Sequence, residues 1–435
     1  MSLRVIRLAA LSVGLCVSVW SESDAGYTAN QRIISIRELG KRDVSAIPTL
    51  AQYLHDPNRD IRVEAVKAIV RIGTADSLTP LVEATHDSDS EVQIRATDGI
   101  TNYYVPGYVT KGALTGPLTR GVRQVKTFFS ARNYQVIDPD VKIRQDVGQA
   151  LADEVHGGAG TDARSNAARA AGILRDDAAV PALSDALHAR DTQLIFESLV
   201  ALQKIQDPAA GAALSSPAHD LDDRIQATAL ETIGVLHALT CAPDVRSALT
   251  NARNTRVRRA ALQALAMLAI PEDKPAFQQY VQDQDAELRA SALEGLGRIR
   301  DPEDMPQIEE SYDEKDADWK VHLAAAFALV DEGKVDVSDF SPLMYLVEKL
   351  DVSGQSPLAS AYLTELTRSE NVRRALFPAV AQATKDQKIA LCSIFAASQS
   401  DDVLPTLNTL AKDIDPDVAF AASRALRITQ SRQRS

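Results

Sequence analysis

The fold is decided by residues 287–297, which read Glu-Leu-Arg-Ala-Ser-Ala-Leu-Glu-Gly-Leu-Gly. The segment follows an acidic turn, begins with an aliphatic residue and an arginine, and continues with alanines and leucines at helical spacing. Alanine is the strongest helix former and lets helices pack closely. The segment therefore predicts a helix with one apolar face, and its recurrence along the chain predicts a repeat.

The aliphatic residue near the start of this segment, here Leu288, recurs as an anchor about every 31 residues. Ile61 and Val92 are 31 residues apart, and Ile389 and Val418 are 29 apart. The anchors in the middle of the chain are Ala163, Leu194, Ile225, Val257, Leu288 and Val321, at intervals of 31, 31, 32, 31 and 33. This period fits two helices of about 12 residues with two short turns.

Prolines mark the ends of the predicted helices. Asp207-Pro208 and Asp301-Pro302 end one helix of a pair, because proline cannot continue it. Val180-Pro181 and Leu404-Pro405 open the other, since proline is favoured in a first helical turn. Composition agrees with an all-α fold, as aromatic residues make up only 5% of the chain.

The pattern in residues 285–308, and again in 163–183, resembles the HEAT-like repeats first described in phycobilisome lyases. The resemblance covers roughly residues 30–430. It implies a right-handed α-solenoid of about eleven helix pairs, in which the second helix of each pair lines the concave face. It also implies that the recurrent arginines contact acidic residues at repeat boundaries; these are Arg62, Arg95 and Arg289.

The anchor spacing indicates one array with an insertion. Val92 and Ala163 are 71 residues apart, where two 31-residue repeats would give 62. We expect a signal peptide at 1–25 and a solenoid at 26–435, made of N-terminal repeats 26–100, an irregular insertion 101–137, regular repeats 138–330 and less regular repeats 331–435. A Gly-rich link at 157–160 is expected to replace part of a helix, and longer loops are expected at Asp331–Asp339 and Val352–Ser356.

The N-terminus has the pattern of an export signal. Arg4 and Arg7 precede an uncharged run of 13 residues from Leu8 to Trp20, and small residues lie before a cut near Ala25. The run is shorter than the roughly 20 residues of a membrane-spanning helix. We expect an exported protein, periplasmic or secreted. An uncleaved membrane anchor and a buried N-terminal helix are the alternatives.

Motifs for catalysis, metal binding or cofactor binding are missing from the sequence. None of the seven histidines has the spacing of a helical metal site, and no CxxC, phosphate-binding glycine loop or nucleophile elbow occurs. The acidic groups 220–223 and 309–314 lack the spacing of a calcium loop. Cys241 and Cys392 lie several repeats apart, so we expect buried thiols and no disulfide. We expect no enzyme, no metal and no cofactor.

Residues 101–136 differ in charge from the rest of the chain. The segment has five basic and no acidic residues. Because the net charge of the whole chain is −12, the residues outside the segment carry −17. An apolar stripe at Leu118, Val122, Val125 and Phe129 predicts a basic amphipathic helix after an aromatic loop. A variant first helix that covers the solenoid is the simpler interpretation. The candidate partner-binding residues here are Tyr104, Tyr108, Lys111, Arg120, Arg123, Lys126 and Arg132.

The second helices supply further candidates, at two, three and six residues after an anchor. On a concave face these positions would be exposed and could bind a partner. They are Phe196, Glu197, Val200, Arg259, Gln263, Ser291 and Glu294.

These features favour a non-enzymatic protein-binding scaffold of the cell envelope, with an unknown partner along the concave face. One alternative is a lyase-like or chaperone-type HEAT protein acting on a cofactor-bearing partner. Another is a peripheral membrane protein that contacts anionic lipid or an acidic protein through 101–136. The net charge of −12 and a pI near 5.2 argue against a nucleic-acid partner, because phosphates require a basic surface.

Overall fold

The computed structural model of the chain describes residues 28–109 and 135–432. Within these two ranges the regular structure is helical, and no strand occurs. The α-helices of the described ranges are α1 (Ala29–Leu39), α2 (Ile47–Gln52), α3 (Arg59–Ile72), α4 (Leu78–Ala84), α5 (Ser90–Tyr104), α6 (Gln145–Gly157), α7 (Thr161–Leu174), α8 (Val180–Ala186), α9 (Thr192–Ile205), α10 (Asp223–Val235), α11 (Ala242–Asn251), α12 (Thr255–Leu268), α13 (Lys274–Tyr280), α14 (Ala286–Ile299), α15 (Met305–Asp313), α16 (Trp319–Asp331), α17 (Pro342–Glu348), α18 (Ser356–Leu366), α19 (Glu370–Ala379), α20 (Lys385–Ala397), α21 (Leu404–Leu410) and α22 (Pro416–Arg432).

The helices pack as consecutive pairs in a solenoid, as the sequence predicts. Each second helix lies against the second helix of the next pair, as α12 does with α14 and α14 with α16. From α2 to α22 the described residues form eleven pairs, and α1 packs on α3 ahead of them. In the pair that ends with α10, short 3₁₀ segments at Pro208–Leu214 and Pro217–His219 take the place of the first α-helix.

Acidic turn residues cap the exposed N–H groups at the start of several second helices. The Asp285 carboxylate accepts hydrogen bonds from the N–H groups of Glu287 (3.0 Å) and Leu288 (3.3 Å). Asp89 does the same for Glu91 and Val92. A side-chain acceptor at this position satisfies donors that the helix itself leaves unpaired, which contributes about 1 kcal/mol per helix.

The predicted anchors form the core that neighbouring repeats share. Side chains at these positions are at most 3% exposed; they are Ile61, Val92, Ala163, Leu194, Ile225, Val257, Leu288, Val321 and Val418. The central core continues from Ala152 to Leu329 without a break between repeats. The anchor prediction is confirmed at these positions, whereas Ile389 is only partly buried.

Small residues let consecutive second helices approach closely. A Cβ atom added to Gly297 would lie 2.5 Å from the Cβ atom of Ala328, and one added to Gly172 would lie 2.6 Å from the Cα atom of Ala201. Each glycine lies nine residues after its anchor, and each alanine lies seven after the next anchor. The repeat spacing therefore depends on glycine meeting alanine at these crossings.

Ion pairs connect successive repeats along one edge. Arg62 Nε lies 2.7 Å from Asp87 Oδ2, and Arg289 donates to Glu314 at 2.6 Å. These two contacts confirm the structural role implied for the recurrent arginines. Arg95 instead donates to Glu91 in its own helix at 2.8 Å.

Three local expectations have mixed outcomes. The loop expected after α16 is present at residues 332–341, and α5 ends at Tyr104, just before Pro106 and Gly107. The Gly-rich link was expected to replace part of a helix, which is wrong. Residues 158–160 are a turn between two helices of 13 and 14 residues, because Gly158 and Gly160 adopt extended backbone there.

Candidate functional site

Helices α5, α6, α7 and α9 bring together buried polar groups, called here the junction cluster. Thr97 Oγ1 donates a 2.5 Å hydrogen bond to Glu154 Oε2, and Asn166 Nδ2 donates to Asp98 Oδ1 at 3.2 Å. Glu154 is 2% exposed, and its other oxygen has no hydrogen-bond partner. Burial raises the pKa of Glu154 to about 8, so this carboxyl is largely protonated at neutral pH.

Arg169 and Glu197 form an ion pair at the edge of the junction cluster. The Arg169 guanidinium meets the Glu197 carboxylate through two nitrogens, at 3.1 and 2.5 Å, and Gln193 donates to the same carboxylate at 2.7 Å. Burial opposes the charge on Arg169, but Glu197 raises its pKa overall. Burial lowers the pKa of nearby Lys204 to about 8. The cluster thus combines one neutral acid, one fixed ion pair and one weakly basic amine.

A second network connects repeats that are not adjacent in the stack. Arg298 on α14 donates to Glu365 on α18 at 2.9 and 2.8 Å, and to Glu294 on its own helix at 2.9 Å. The Tyr362 hydroxyl donates to the other oxygen of Glu294. The guanidinium lies 4.6 Å from the ring centroid of Phe327, which stacks on Tyr362 at 4.7 Å. We call this set the two-repeat bridge, because it connects α14 with α18 past the second helix between them, α16.

These networks correct the exposure expected for the second-helix candidates. Exposure is 9% at Phe196, 1% at Glu197, 7% at Ser291 and 6% at Glu294, so the expectation of open positions is wrong for all four. Side chains of other second helices cover these positions, as Arg169 does at Glu197 and Tyr362 does at Glu294.

The remaining second-helix candidates are more accessible. Gln263 is exposed, and Val200 and Arg259 are half-buried. Arg259 donates to Asp285 at 2.7 Å and to Glu287 at 2.7 Å, so it also belongs to the edge ion pairs. Of these seven positions, Gln263 alone is fully open.

Two stretches of the chain are similar in sequence to a known repeat. Residues 27–101 and 242–330 match the sequence profile of HEAT repeats. The chain contains HEAT repeats. The matched residues cover α1 to α4, most of α5 and the stretch from α11 to α16.

Several solved structures are similar to the chain at low sequence identity. The complex of CpcE and CpcF of phycocyanin lyase from Nostoc sp. PCC7120 is 20% identical, over 66% of this chain and 94% of that one, with a TM-score of 0.35. Importin beta is 13% identical, over 93% and 60%, with a TM-score of 0.39. Human deoxyhypusine hydroxylase is 20% identical, over 58% and 96%, with a TM-score of 0.29. No curated protein sequence matches the chain as a relative.

The aromatic part of the insertion is partly described. Tyr108 is 6% exposed and packs in the N-terminal HEAT core, so its predicted place on a binding surface is wrong. Tyr104 is half-buried, and its hydroxyl accepts the N–H of Arg144 at 3.1 Å. The basic candidates and the predicted amphipathic stripe lie outside the described residues; they are Lys111, Arg120, Arg123, Lys126, Arg132, Leu118, Val122, Val125 and Phe129.

The cysteines of the HEAT array are buried and unbonded to each other, as expected. Burial raises the pKa of Cys392 to about 12 and also raises that of Cys241, so both are thiols at neutral pH. Among residues 28–109 and 135–432, no three His, Cys, Asp or Glu side chains are grouped as a metal site would require. None of the helices in those ranges has the length and apolarity needed to cross a membrane.

Proposed function

We propose that the chain is a non-enzymatic protein-binding scaffold of the cell envelope. The observation that supports it is the row of ion pairs between repeats, from Arg62–Asp87 to Arg289–Glu314. Each pair joins one repeat to the next beside the core that the repeats share, so a long surface keeps a fixed shape. Repeat arrays of this kind use such extended surfaces to bind their partners.

The cellular location is part of this proposal and rests on the N-terminal sequence. Arg4, Arg7 and the apolar run to Trp20 favour export, with cleavage near Ala25. These residues lie outside the described ranges. N-terminal sequencing of the protein recovered from envelope fractions tests the location, and recovery from cytoplasm with residues 1–25 intact would contradict it.

The binding function is tested on the same envelope material. Chemical cross-linking followed by size-exclusion chromatography should yield a complex of defined stoichiometry. The intact mass of the partner, measured before and after incubation with the purified chain, should not change. A partner that gains or loses mass would indicate a lyase-like activity in place of the scaffold function. A chain that elutes alone at every salt concentration would contradict the proposal.

A further inference from the structure

The loop at residues 332–341 presents an exposed aromatic side chain. Phe340 is 86% exposed, although phenylalanine is usually buried. Its backbone has φ of 67°, a conformation that bulky residues rarely adopt. The ring therefore adds little to the core, and the backbone around it is held in an uncommon shape.

Hydrogen bonds fix this loop in place. The Tyr312 hydroxyl donates to the Phe340 carbonyl at 2.9 Å, which connects the loop to α15. Ser341 Oγ donates to the Asp336 carbonyl at 2.9 Å, and the Asp336 carboxylate accepts from the N–H of Ser338 at 3.1 Å. An aromatic side chain on an ordered loop loses little conformational entropy when it binds a partner.

Other aromatic rings lie beside the loop. The centroids of Tyr312 and Tyr345 are 6.0 Å apart at 90°, and His322 lies 6.4 Å from Tyr312 and 6.1 Å from Tyr345. All three are half-buried. Lys349 Nζ lies 4.5 Å from the Tyr345 centroid, so a ring of this cluster already contacts an ammonium group.

Acidic residues surround the aromatic rings. Residues 309–349 contain eleven Asp and Glu and four Lys. Two of the lysines already form ion pairs, Lys334 with Glu309 and Lys320 with Glu287. The exposed carboxylates near the loop include Asp313, Asp339 and Glu348. We call Phe340, its loop, the three rings and these carboxylates the Phe340 surface.

We infer that the Phe340 surface docks a basic protein segment that carries an apolar side chain next to its lysines or arginines. The exposed ring offers an apolar anchor, the acidic rim attracts cations, and aromatic faces accept ammonium or guanidinium groups. A surface of one charge sign favours encounter with a partner of the opposite sign. This inference rests on the proposed binding function and specifies the chemistry of the partner.

The test uses two fluorescein-labelled synthetic peptides and fluorescence anisotropy. One peptide combines lysines with leucines at helical spacing, and the other has serine in place of every leucine. Phe340→Asn removes the ring but tolerates positive φ, while Phe420→Gln removes a 71% exposed ring on α22 as the matched control. Phe340→Asn should weaken binding of the leucine peptide about tenfold, and Phe420→Gln should leave it unchanged.

A second arm separates the local rim from overall charge. Asp339→Lys with Glu348→Lys should weaken binding of both peptides. Glu272→Lys with Asp386→Lys makes the same change of net charge at exposed sites elsewhere and should have a much smaller effect. The inference would be overturned if the two double variants lost peptide affinity equally. It would also be overturned if the Phe340→Asn protein bound the leucine peptide as tightly as the wild type.

The two proposals can fail separately. If envelope partners co-purify equally with the wild-type and Phe340→Asn chains, the scaffold function stands and the Phe340 surface does not. If the leucine peptide binds as expected but no envelope complex forms, the surface stands and the scaffold function fails.

Discussion

Arg424 Nε donates a 2.8 Å hydrogen bond to Asp138 Oδ2, although 286 positions separate the two residues. A second contact lies beside it, from Arg427 Nε to Asp140 Oδ2, also at 2.8 Å. Both arginines are on α22, the last helix of the stack, and both aspartates precede α6. The array from α6 to α22 thus returns to the segment from which it starts.

Charge reversal at this contact should open the array. Arg424→Glu with Arg427→Glu would place four like charges together, so the radius of gyration in small-angle X-ray scattering should increase. The free energy of unfolding should fall by about 1–3 kcal/mol, because the arginines are about half exposed, at 48% and 57%, but the aspartates that they leave unpaired are only 18% and 11% exposed. Adding Asp138→Lys and Asp140→Lys should restore the original radius.

The control reverses the charge of two arginines that do not connect α22 to the segment before α6. Arg374 is 70% exposed and pairs with Glu370 in its own helix, and Arg190 is also exposed. Arg374→Glu with Arg190→Glu should leave the scattering curve as it is. An unchanged radius in the Arg424 and Arg427 double variant would show that the end-to-end contact does not set the shape of the array.

Glu154→Gln should change how stability depends on pH. Burial raises the pKa of Glu154 from 4.5 to about 8, so the folded state holds its proton over a range in which the unfolded state loses it. The stabilisation that the folded state gains from holding this proton is fully present below the unfolded pKa. It is lost as pH rises through the folded pKa. At about pH 9 the variant should exceed the wild type by about 2–4 kcal/mol in free energy of unfolding.

Denaturant unfolding at several pH values between the two pKa values measures this effect. The difference between Glu154→Gln and wild type should shrink toward acid pH, because glutamine resembles the protonated acid that accepts from Thr97. Glu303→Gln, at an exposed position, should follow the wild-type profile. Parallel profiles for wild type and Glu154→Gln would mean that Glu154 titrates as an ordinary carboxyl.

The sequence predicts the helix pairs because each repeat uses local signals that recur. Leu288 follows the capping residue Asp285 by three positions, and both features are visible without a structure. The sequence did not predict that Glu294 is buried, because its cover comes from Tyr362, two repeats further on. Contacts across the curved inner face depend on the superhelical shape, which a repeat period does not determine.

The contact between Arg424 and Asp138 was beyond sequence reasoning for the same reason. It depends on small rotations that accumulate over every repeat between the two residues. Phe340 gives a clearer signal, since it directly follows Asp331–Asp339, where the sequence already predicts a longer loop. An aromatic residue between Asp339 and Ser341, outside any helical spacing, is the feature that could have singled it out.

Gly297→Ala should destabilise the array. The new Cβ atom would lie 2.5 Å from the Cβ and 2.7 Å from the Cα of Ala328, which forces α14 and α16 apart. Overpacking of this kind costs about 1–3 kcal/mol. Gly157→Ala is the control, because a Cβ atom there meets nothing within 4 Å. Thermal unfolding should show a lower Tm for the first variant only, and equal Tm values would mean that the crossing can relax freely.

Tyr362→Phe tests the two-repeat bridge with the loss of one oxygen atom. Tyr362 is 3% exposed and donates to Glu294, which is itself 6% exposed, so the variant leaves a buried carboxylate with one fewer donor. Leaving such a group incompletely bonded costs about 1–3 kcal/mol. The stacking on Phe327 is retained, and Arg298 still donates to Glu294 at 2.9 Å, which favours the lower half of that range. Tyr280→Phe, at a half-buried position beside the central core, is the matched control and should shift the free energy of unfolding by less.

A double-mutant cycle with Glu294→Gln separates the hydrogen bond from packing, because a true contact gives a non-additive sum. Additive losses in that cycle would show that Tyr362 acts through its ring alone.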